Sequence, residues 1–410
     1  MLQQIYRDPH RVRHLMSPPL GEYLSAFAKA ELDQGFARLT LHTHLRVLGK
    51  LNLWLQDRGI AAQQLSVDHL KRLQRDGCWR KALWRHGHDV LARFLRYLQT
   101  TGVAKISEQR QRKSARNRLL DGFERYLREQ RGLSKWTIGR YTSEIRKFLK
   151  SRKGPLRLRQ LRPSDIYRYV IDAATRTGRA GSKGVVTSLR SFLRWLTTRG
   201  AVSSVLQASV PMIANRKLKS VPAVLAAAEV NRLVHSCNLR TTKGRRDRAI
   251  ILLLARLGLR AGEVVSLRLN DINWQAGVLC VRRKGGRADS MPLPPEVGTA
   301  VAFYLRNYRP KCSEPRVFTC VRAPHRGLGH SSTVSSIVAT ALRRAGLNPP
   351  NTGAHLLRHT LASSLLGRGA GLGEIGQLLG HQAQASTEVY SKVDIRGLRS
   401  VAQPWPGGAK

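Results

Sequence analysis

The stretch LARFLRYLQTTG, residues 91–102, returns with small changes as LRSFLRWLTTRG, residues 189–200. The two segments share Leu, Phe, Leu, Arg, Leu, Thr and Gly in the same register. In both, the leucines and the phenylalanine recur at the spacing of an amphipathic helix. We interpret the match as a repeated helical unit; the alternative is chance similarity between helices rich in leucine and arginine.

Each copy contains a further helix signal upstream of this match. The segments LSVDHLKRL (65–73) and RPSDIYRYV (162–170) both hold an apolar-periodic run. Ser66 and Ser164 are candidate N-caps for these runs. The sequence therefore predicts two small all-helical domains in tandem, at residues 1–107 and 113–205.

The helical pattern breaks at NRKLKSVPAVL (215–225), where basic residues and Pro222 interrupt it. We interpret residues 206–224 as a linker into a third domain, 225–402, with a tail at 403–410. VLCVRRKGGRADSMPLP (278–294) predicts a β-hairpin around a KGG turn. The third domain is otherwise helical, with helices predicted at 227–236, at 246–257 before Gly258, and at 331–345, 353–367 and 372–380.

Charge limits the classes of partner. The 410 residues include 72 Lys and Arg against 25 Asp and Glu, a formal net charge of +47. A surplus of positive charge of this size favours a large polyanion as the binding partner. Nucleic acid is the first candidate, and an anionic membrane surface is the second. The sequence has no apolar run of about 18 residues, no signal peptide and no lipidation motif, so we expect a soluble, cytoplasmic, nucleoid-associated protein.

Several predicted helices carry basic residues on their polar faces. Because the whole chain is so basic, we expect these residues to face DNA phosphates, although a run of charge alone is more often a solvated face. They include Arg93 and Arg96 in the first copy, and Arg140, Arg146, Lys147 and Lys150 in the second. The five cysteines are odd in number and lack C-x-x-C spacing, so we expect them reduced, in neither a disulfide framework nor a zinc site.

Two pairs of residues stand at helical spacing in the third domain. Arg260 lies three residues before Glu263, so the carboxylate is able to orient the guanidinium, although such pairs are also common surface salt bridges. His355 and Arg358 share a helix face. With Thr352 as N-cap, His355 falls in the first turn, where a bound anion is favoured. The alternative there is a capped surface helix with a basic face.

Three further side chains are candidates for the same site. Lys284 lies in the RRKGGR turn, where ordinary turn chemistry is the alternative. His381 directly follows Leu-Leu-Gly, so it emerges past a helix C-terminus, where C-capping is the alternative. Tyr390 lies in a stretch too polar for a core, and its alternative is an exposed tyrosine at a helix rim.

The six groups together meet the needs of phosphodiester cleavage. A phenol, with a pKa of about 10, is a poor nucleophile unless its proton or charge is taken up. A phosphodiester also repels nucleophiles through its own charge. Two arginines on the non-bridging oxygens, two histidines that donate or shuttle protons and one lysine near the leaving oxygen address both problems without a metal.

The order Arg, Lys, His-x-x-Arg, His, Tyr resembles that of the tyrosine recombinases, the phage integrase family of site-specific DNA recombinases. GLRAGEVVSLRLNDIN (258–273), HLLRHTLASSLL (355–366) and LLGHQAQASTEVYSKV (378–393) are similar to the family's three motifs. With the hairpin they cover most of residues 225–395. Each motif is weak by itself, and their joint occurrence, in order and close to the usual spacing, carries the resemblance.

The resemblance implies how the phosphate would be held and attacked. Tyr390 would attack the scissile phosphate to give a 3'-phosphotyrosyl enzyme and a free 5'-hydroxyl, with no ATP, metal or other cofactor. Arg260 and Arg358 would hold the phosphate oxygens, helped by His381. Glu263 would orient Arg260.

Proton transfer is implied in the same way. His355 would act as acid and base toward the tyrosine, and Lys284 would protonate the leaving 5'-oxygen. The alternatives to Lys284 in this role are the other basic residues of the same turn, Arg282, Arg283 and Arg287.

The resemblance also implies a mainly α architecture. Two tandem small helical SAM-like DNA-binding domains would precede an α+β catalytic domain that is mostly helical with a small antiparallel sheet. Residues 113–205 would be the core-binding domain, and 225–402 the catalytic domain. Residues 1–107 would be an additional copy that binds DNA or protein. The expected partners are double-stranded DNA and other recombinase subunits, in a homo- or hetero-tetramer.

The additional N-terminal copy departs from minimal recombinases of the chromosome-dimer-resolving type, so we expect an integrase or transposase of a mobile element. The alternatives are a type IB topoisomerase, a non-catalytic DNA-binding protein and an RNA-binding protein. The duplicated helical domains and the integrase-like third motif argue against the first, and the presence of all six groups argues against the second. The sequence contains no RNP-type aromatic motif that would favour the third.

Overall fold

The computed structural model describes residues 2–6, 8–75, 87–105, 114–152, 158–212, 222–283 and 287–380, together with Thr387. Over these residues the chain is mainly α-helical with one small antiparallel sheet, so the predicted fold class is confirmed. The chain divides into two compact units: one joins residues 1–106 to 218–410, and the other comprises 107–217. None of the helices described is long and apolar enough to cross a membrane.

The N-terminal region of the first unit is a group of helices around one apolar core. Leu48, Phe94 and Leu98 are fully buried in it. Ser66 precedes the fifth helix, and its hydroxyl accepts a long 3.5 Å hydrogen bond from the backbone N–H of His69, as the N-cap prediction requires. The helices are α1 (Leu2–Ile5), α2 (Pro9–Leu15), α3 (Gly21–Asp33), α4 (Arg38–Gln56), α5 (Val67–Arg75) and α6 (Gly87–Thr100).

Arg93 on α6 belongs to a partly buried ionic cluster. Its guanidinium donates to Glu31 at 2.9 Å, and the other carboxylate oxygen of Glu31 lies 2.6 Å from Nδ1 of His44. Glu31 and His44 are buried, and a buried carboxylate is costly without a cation beside it. Arg93 therefore has a structural partner within the domain, and its predicted contact with DNA phosphates stays a prediction; Arg96, three residues on, is exposed.

The second unit is also helical, with its own core centred on Phe123, Phe148 and Phe192. The prediction that Ser164 is an N-cap is wrong, because the helix starts one residue earlier, at Pro163. Asp165 instead accepts the N–H of Arg162 at 3.0 Å. The helices are α7 (Ala115–Glu129), α8 (Lys135–Ser151), α9 (Pro163–Thr198) and α10 (Ser204–Ala208).

Two features of the second unit depart from a simple bundle. Gly178 interrupts α9 with φ 64° and ψ −175°, a conformation that is essentially restricted to glycine, so α9 consists of two helical segments. Leu206 and Val210 fall in the segment predicted as a linker, and both are buried in the core of this unit.

The repeated sequence has the same local structure in its two copies. α6 ends at Thr100 and α9 ends at Thr198. Each is followed two residues later by a glycine with a left-handed backbone, Gly102 at φ +76° and Gly200 at φ +65°. All eight apolar positions are buried: Leu91, Phe94, Leu95 and Leu98 in one copy, and Leu189, Phe192, Leu193 and Leu196 in the other. The same sequence pattern therefore builds the same buried helix face twice.

The C-terminal part of the first unit surrounds one long buried helix. This helix, α12 (Thr242–Leu257), is capped by the hydroxyl of Thr241 and ended by Gly258 at φ +62°. Its residues from Ala249 to Leu254 are fully buried, which is why the segment is apolar all round. The other helices are α11 (Ala227–His235), α13 (Ala261–Ser266), α14 (Pro295–Asn307), α15 (Ser331–Arg344), α16 (Ala354–Gly367) and α17 (Leu372–Leu379).

The sheet has three antiparallel strands in the order β1-β2-β3. They are β1 (Ile272–Asn273), β2 (Val278–Arg282) and β3 (Ala288–Pro292). The register of the predicted hairpin pairs Val278 with Pro292 and Arg282 with Ala288. The hairpin is thus confirmed, while β1 was not predicted, because two residues are too few for a periodic pattern.

The structure also tests two smaller predictions, the N-cap of α16 and the state of the cysteines. Thr352 is not the N-cap of α16, since Gly353 occupies that position and makes no side-chain capping bond. The cysteines are free where the structure describes them, at positions 237, 280, 312 and 320; Cys78 lies outside the described residues.

Candidate active site

The ends of three helices meet around the last turn of α17. The C-terminal end of α12, at Gly258, and the C-terminal end of α17, at Leu378–Gly380, direct backbone carbonyls into one region. The N-terminal part of α16 enters the same region and contributes Arg358, the fifth residue of the helix. Such C-terminal carbonyls lack partners within their own helix and carry the negative end of the helix dipole, so they attract cations.

Arg260 is the N-cap residue of α13 and is held by Glu263 at two points. Its Nη1 donates to Oε1 of Glu263 at 2.9 Å, and its backbone N–H donates to Oε2 at 2.7 Å. Its Nη2 donates to the carbonyl of Gly380 at 3.1 Å. The predicted pairing of Arg260 with Glu263 is confirmed; the Glu263 side chain is buried, and the Arg260 side chain is 31% exposed.

Arg358 is almost completely buried, at 3% exposure. Its Nη1 donates to the carbonyl of Gly258 and its Nη2 to the carbonyl of Leu379, each at 2.6 Å. The guanidinium therefore lies between the C-terminal ends of α12 and α17, where two helix dipoles favour a positive charge. Arg260 and Arg358 thus bond to consecutive carbonyls, those of Gly380 and Leu379.

His355 lies in the first turn of α16, three residues before Arg358, as predicted. Desolvation lowers the pKa of His355, and the cations Arg358 and Arg260 lower it further. The imidazole therefore stays neutral at a pH where an ordinary histidine is charged. A neutral imidazole close to two guanidinium groups is able to accept a proton.

Sequence reasoning did not single out His359. Its ring centroid lies 6.4 Å from that of His355. The pKa of His359 is also lowered, chiefly by desolvation and then by His355 and Arg358. The spacing of four residues from His355 was the available signal, because it puts both rings on one face of α16.

Three predicted site residues, Lys284, His381 and Tyr390, lie outside the described residues. α17 ends at Leu379 and its C-cap, Gly380, has φ +61°, so the helix stops immediately before His381, as its sequence predicts. Further along the same segment, Thr387 is buried at 3% exposure.

The basic residues beside Lys284 have distinct environments. Arg282 is exposed and its Nη2 donates to the buried carboxylate of Asp271 at 2.6 Å, an interaction that raises the pKa of Arg282. Arg283 is buried and bonds to Glu263 and Asp289. Arg287 is exposed, and its carbonyl accepts the N–H of Arg283 at 2.7 Å across the turn. Arg282 and Arg283 are thus both held by carboxylates.

Sequence reasoning treated Arg283 only as a neighbour of Lys284, and so missed its position. The alternation of β2 was the available signal. Leu279 and Val281 point to the buried face of the strand, and a period of two residues puts position 283 on the same side. A basic residue at such a position predicts a buried carboxylate partner, because an unpaired buried charge is strongly unfavourable.

The comparisons with known proteins identify the class. The sequence family described as the phage integrase family matches residues 223–396, which include both anchored arginines and His355. The N-terminal SAM-like domain of phage integrases matches residues 120–200. The structure of a lambda integrase dimer bound to a core site has the same fold over 68% of this chain and 96% of its own, with a TM-score of 0.54 and 19% identity. The architecture is that of a tyrosine recombinase.

Two relatives extend the comparison over most of the chain. A putative integrase/recombinase of Sinorhizobium fredii is 40% identical over 399 residues, which cover 96% of each chain. The tyrosine recombinase XerD of Listeria monocytogenes is 31% identical over 293 residues, 70% of this chain and 97% of its own. The chain belongs to the phage integrase family, and it is a tyrosine recombinase, an enzyme of site-specific DNA recombination.

Proposed function

We propose that Tyr390 is the nucleophile with which the protein cuts and rejoins double-stranded DNA. The phenol oxygen attacks the scissile phosphorus, the bond from phosphorus to the 5'-oxygen breaks, and the strand is held as a 3'-phosphotyrosyl ester. His355 takes the phenol proton, and Lys284 gives a proton to the leaving 5'-oxygen. Attack by the 5'-hydroxyl of a partner strand reverses these steps, so the ester conserves the bond energy.

Charge stabilisation is assigned to three side chains and their support. Arg260 and Arg358 bind the non-bridging oxygens of the phosphate, His381 donates a further hydrogen bond, and Glu263 orients Arg260. The observation that carries the proposal is the common anchorage of Arg260 and Arg358 on the carbonyls of Gly380 and Leu379. Two guanidinium groups fixed before DNA arrives need little reorganisation as negative charge develops on the phosphate.

The same proposal assigns the domains. Residues 113–205 form the core-binding domain, which extends to Val210 because Leu206 and Val210 are buried in its core. Residues 225–402 form the catalytic domain, the residues between Val210 and Leu225 connect the two domains, and 403–410 form a tail. The match of residues 120–200 to the SAM-like domain of phage integrases supports the first assignment. Residues 1–107 form an additional helical domain that contacts DNA or another subunit. The same buried helix face in α6 and α9 supports a structural similarity between this domain and the second.

The biological setting is also part of the proposal. We assign the protein to a mobile element, as an integrase or transposase that works on DNA in the cytoplasm, at the nucleoid. Similarity over nearly the full chain to a putative integrase/recombinase supports this setting. A tetramer of identical or related subunits is the proposed active form, in line with the lambda integrase tetramer solved on a Holliday junction, whose fold this chain shares at a TM-score of 0.52.

Covalent capture of DNA on Tyr390 tests the proposal directly. Wild type, Tyr390→Phe and a matched Tyr308→Phe control are expressed in cells that carry the native flanking DNA. The samples are denatured, DNA attached to protein is isolated, and its ends are sequenced. We expect adducts at discrete 3' ends with wild type and Tyr308→Phe, and none with Tyr390→Phe, which has lost only the nucleophilic oxygen.

Other outcomes separate the alternatives. Adducts that persist in Tyr390→Phe would exclude Tyr390 as the nucleophile. Adducts scattered over the DNA would favour relaxation by a topoisomerase-like activity over site-specific exchange. Wild type that binds its DNA firmly yet forms no adduct would contradict cleavage by this chain alone.

A further inference from the structure

We propose that Arg283 is a positioning residue of the recombinase, whose buried guanidinium fixes both phosphate-binding arginines through the groups that hold them. The inference rests on the proposed function of Arg260 and Arg358. Arg283 follows the last residue of β2 and is 7% exposed. Its donors are taken up by two carboxylates and two main-chain carbonyls, so it acts on the phosphate through those groups.

The first connection runs through Glu263. Nη1 of Arg283 lies 3.2 Å from Oε2 of Glu263, while Oε1 of the same carboxylate accepts Nη1 of Arg260. Oε2 also accepts the backbone N–H of Arg260 at 2.7 Å, so Arg283 is a second donor on this oxygen and, among the residues that the structure describes, the only guanidinium on it. Arg283 thus helps to fix the carboxylate that sets the direction in which the Arg260 side chain points.

The second connection runs through the end of α17. Nη2 of Arg283 donates to the carbonyl of Leu378 at 3.1 Å, and its Nη1 lies 3.3 Å from the carbonyl of Leu379. The Leu379 carbonyl also accepts Nη2 of Arg358, and the next carbonyl, that of Gly380, accepts Nη2 of Arg260. Arg283 thus shares one partner with each phosphate-binding arginine.

The local packing leaves little room for another arrangement. A Cβ atom at Gly380 would lie 2.7 Å from Nε of Arg283, so the guanidinium packs directly against the backbone that ends α17. Its Nε donates to Asp289 at 2.9 Å, and Asp289 is on β3, across the hairpin. The planar guanidinium, with five N–H donors, reaches two carboxylates and two carbonyls at once, which a lysine ammonium with three donors at one nitrogen cannot do.

The buried charges of Arg283 and Glu263 are consistent with a positioning role for Arg283. Arg283 and Glu263 are each only about one-twentieth exposed at the side chain, at 5% and 6%, so each compensates the other's buried charge. Without Arg283, Glu263 would retain Arg260 alone, and the carbonyl of Leu378 would lose a donor. The expected consequence is a displaced Arg260, with the DNA-binding surface unchanged.

Single-turnover cleavage of a nicked substrate that traps the phosphotyrosyl adduct measures this role. Arg283→Met retains a long side chain and removes every hydrogen bond. We expect adduct formation to slow by roughly 100-fold, which is the effect of a misplacement of about 1 Å, with DNA affinity unchanged within about threefold. Arg256→Met is the matched control, because Arg256 is also paired with a carboxylate, that of Glu296 at 2.8 Å, on the surface of the same domain.

A second substrate separates positioning from folding. In this DNA the scissile phosphate carries a methyl group in place of one non-bridging oxygen, and the two phosphorus diastereomers are tested separately. The neutral phosphate needs less cationic stabilisation, so the defect of Arg283→Met should shrink on one diastereomer, and the defect of Arg260→Ala should shrink on the same one. A general loss of folded protein would reduce the rates on both substrates by the same factor.

The outcomes are distinguishable from those that test the proposed function. Wild type that forms no adduct on Tyr390 would contradict the function itself. If Arg283→Met cleaves DNA at the wild-type rate, the positioning role is wrong. An equal defect of Arg283→Met on charged and neutral phosphates would also overturn that role. Neither result would contradict the proposed function. If Arg283→Met does not fold, Arg283→Lys decides, because lysine retains the buried charge and loses the fork. A normal rate in that variant would overturn the proposal, and a substrate-dependent defect would support it.

Discussion

His355 is exposed, but the charges that face it set it apart from an ordinary surface histidine. Desolvation and the two guanidinium groups of Arg358 and Arg260 all disfavour the imidazolium form, and they lower the pKa of His355. Its base form therefore survives to a lower pH than that of an ordinary histidine, whose pKa is about 6.5. This is the form that is able to receive the phenol proton in the proposed reaction.

We predict that His355 titrates below the ordinary histidine range, and that Arg260→Gln raises its pKa by removing one of the two cations. NMR titration of histidine-labelled protein without DNA measures both values, with His355→Gln used to assign the signal. Because the unfolded chain binds this proton more readily, the histidine favours unfolding as the pH falls through about 6.5. A titration of His355 at or above the value of a free histidine would contradict the prediction.

At the scale of elements, the site depends on how two helices end. Gly258 ends α12 with φ +62°, its carbonyl accepts Arg358, and a Cβ on it would lie 2.6 Å from Cδ2 of Leu379. One glycine therefore provides the left-handed backbone, the close approach to α17 and one anchor of the buried arginine.

We predict that Gly258→Ala destabilises the protein by about 1–2 kcal/mol from the left-handed backbone alone, and by more once Leu379 is displaced. It should also slow adduct formation, because the anchor of Arg358 moves. Thermal unfolding and single-turnover cleavage measure the two effects. Gly373→Ala is the control: Gly373 lies in α17, a Cβ there would have nothing within 4 Å, and alanine favours helix. Equal melting temperatures for the two variants would refute the prediction.

The elements also show what the sequence alone can predict. The hairpin and most helices of residues 227–380 were predictable from their hydrophobic periods, and glycine marks the C-terminal ends of α12 and α17. α14 was missed although Pro295 marks its start. The caps assigned to Ser164 and Thr352 were wrong because a neighbouring residue, proline in one case and glycine in the other, starts the helix instead.

Only part of the candidate site was predictable from the sequence. The pairing of Arg260 with Glu263 follows from helical spacing. The contacts of Arg358 with Gly258 and Leu379 do not, because they join segments about 100 and 20 residues apart, and no local pattern encodes such distances. The carboxylate partners of Arg93 and Arg283 were not predicted for the same reason: they come from other elements of the fold.

At the scale of the whole molecule, the net positive charge is the main determinant of DNA affinity. A net charge of +47 on 410 residues makes the affinity for DNA depend on the release of counterions, so binding should weaken steeply as salt rises. α8 offers a local test of this expectation, because Arg146 and Lys150 lie one helical turn apart and are both exposed.

We predict that the double variant Arg146→Ala, Lys150→Ala reduces the slope of log affinity against log salt by about 2 in magnitude, one for each phosphate that no longer has a cation beside it. Fluorescence anisotropy over a salt series measures the slope. Arg256→Ala is the control, since Arg256 is already paired with Glu296. A slope unchanged from wild type would exclude this face of α8 from the DNA interface.

The anchorage of the arginines on carbonyls has a consequence for how this site evolves. A main-chain carbonyl survives any substitution of the residue that carries it, unlike a carboxylate partner. Leu378 is partly buried against the core, so another apolar, helix-forming residue is able to replace it while the main-chain carbonyl at this position still accepts Arg283. Gly258 and Gly380 do not have this freedom, because both need a left-handed backbone. Descendants of this chain should therefore vary in the side chains around the carbonyls that hold the arginines, while they retain Gly258 and Gly380.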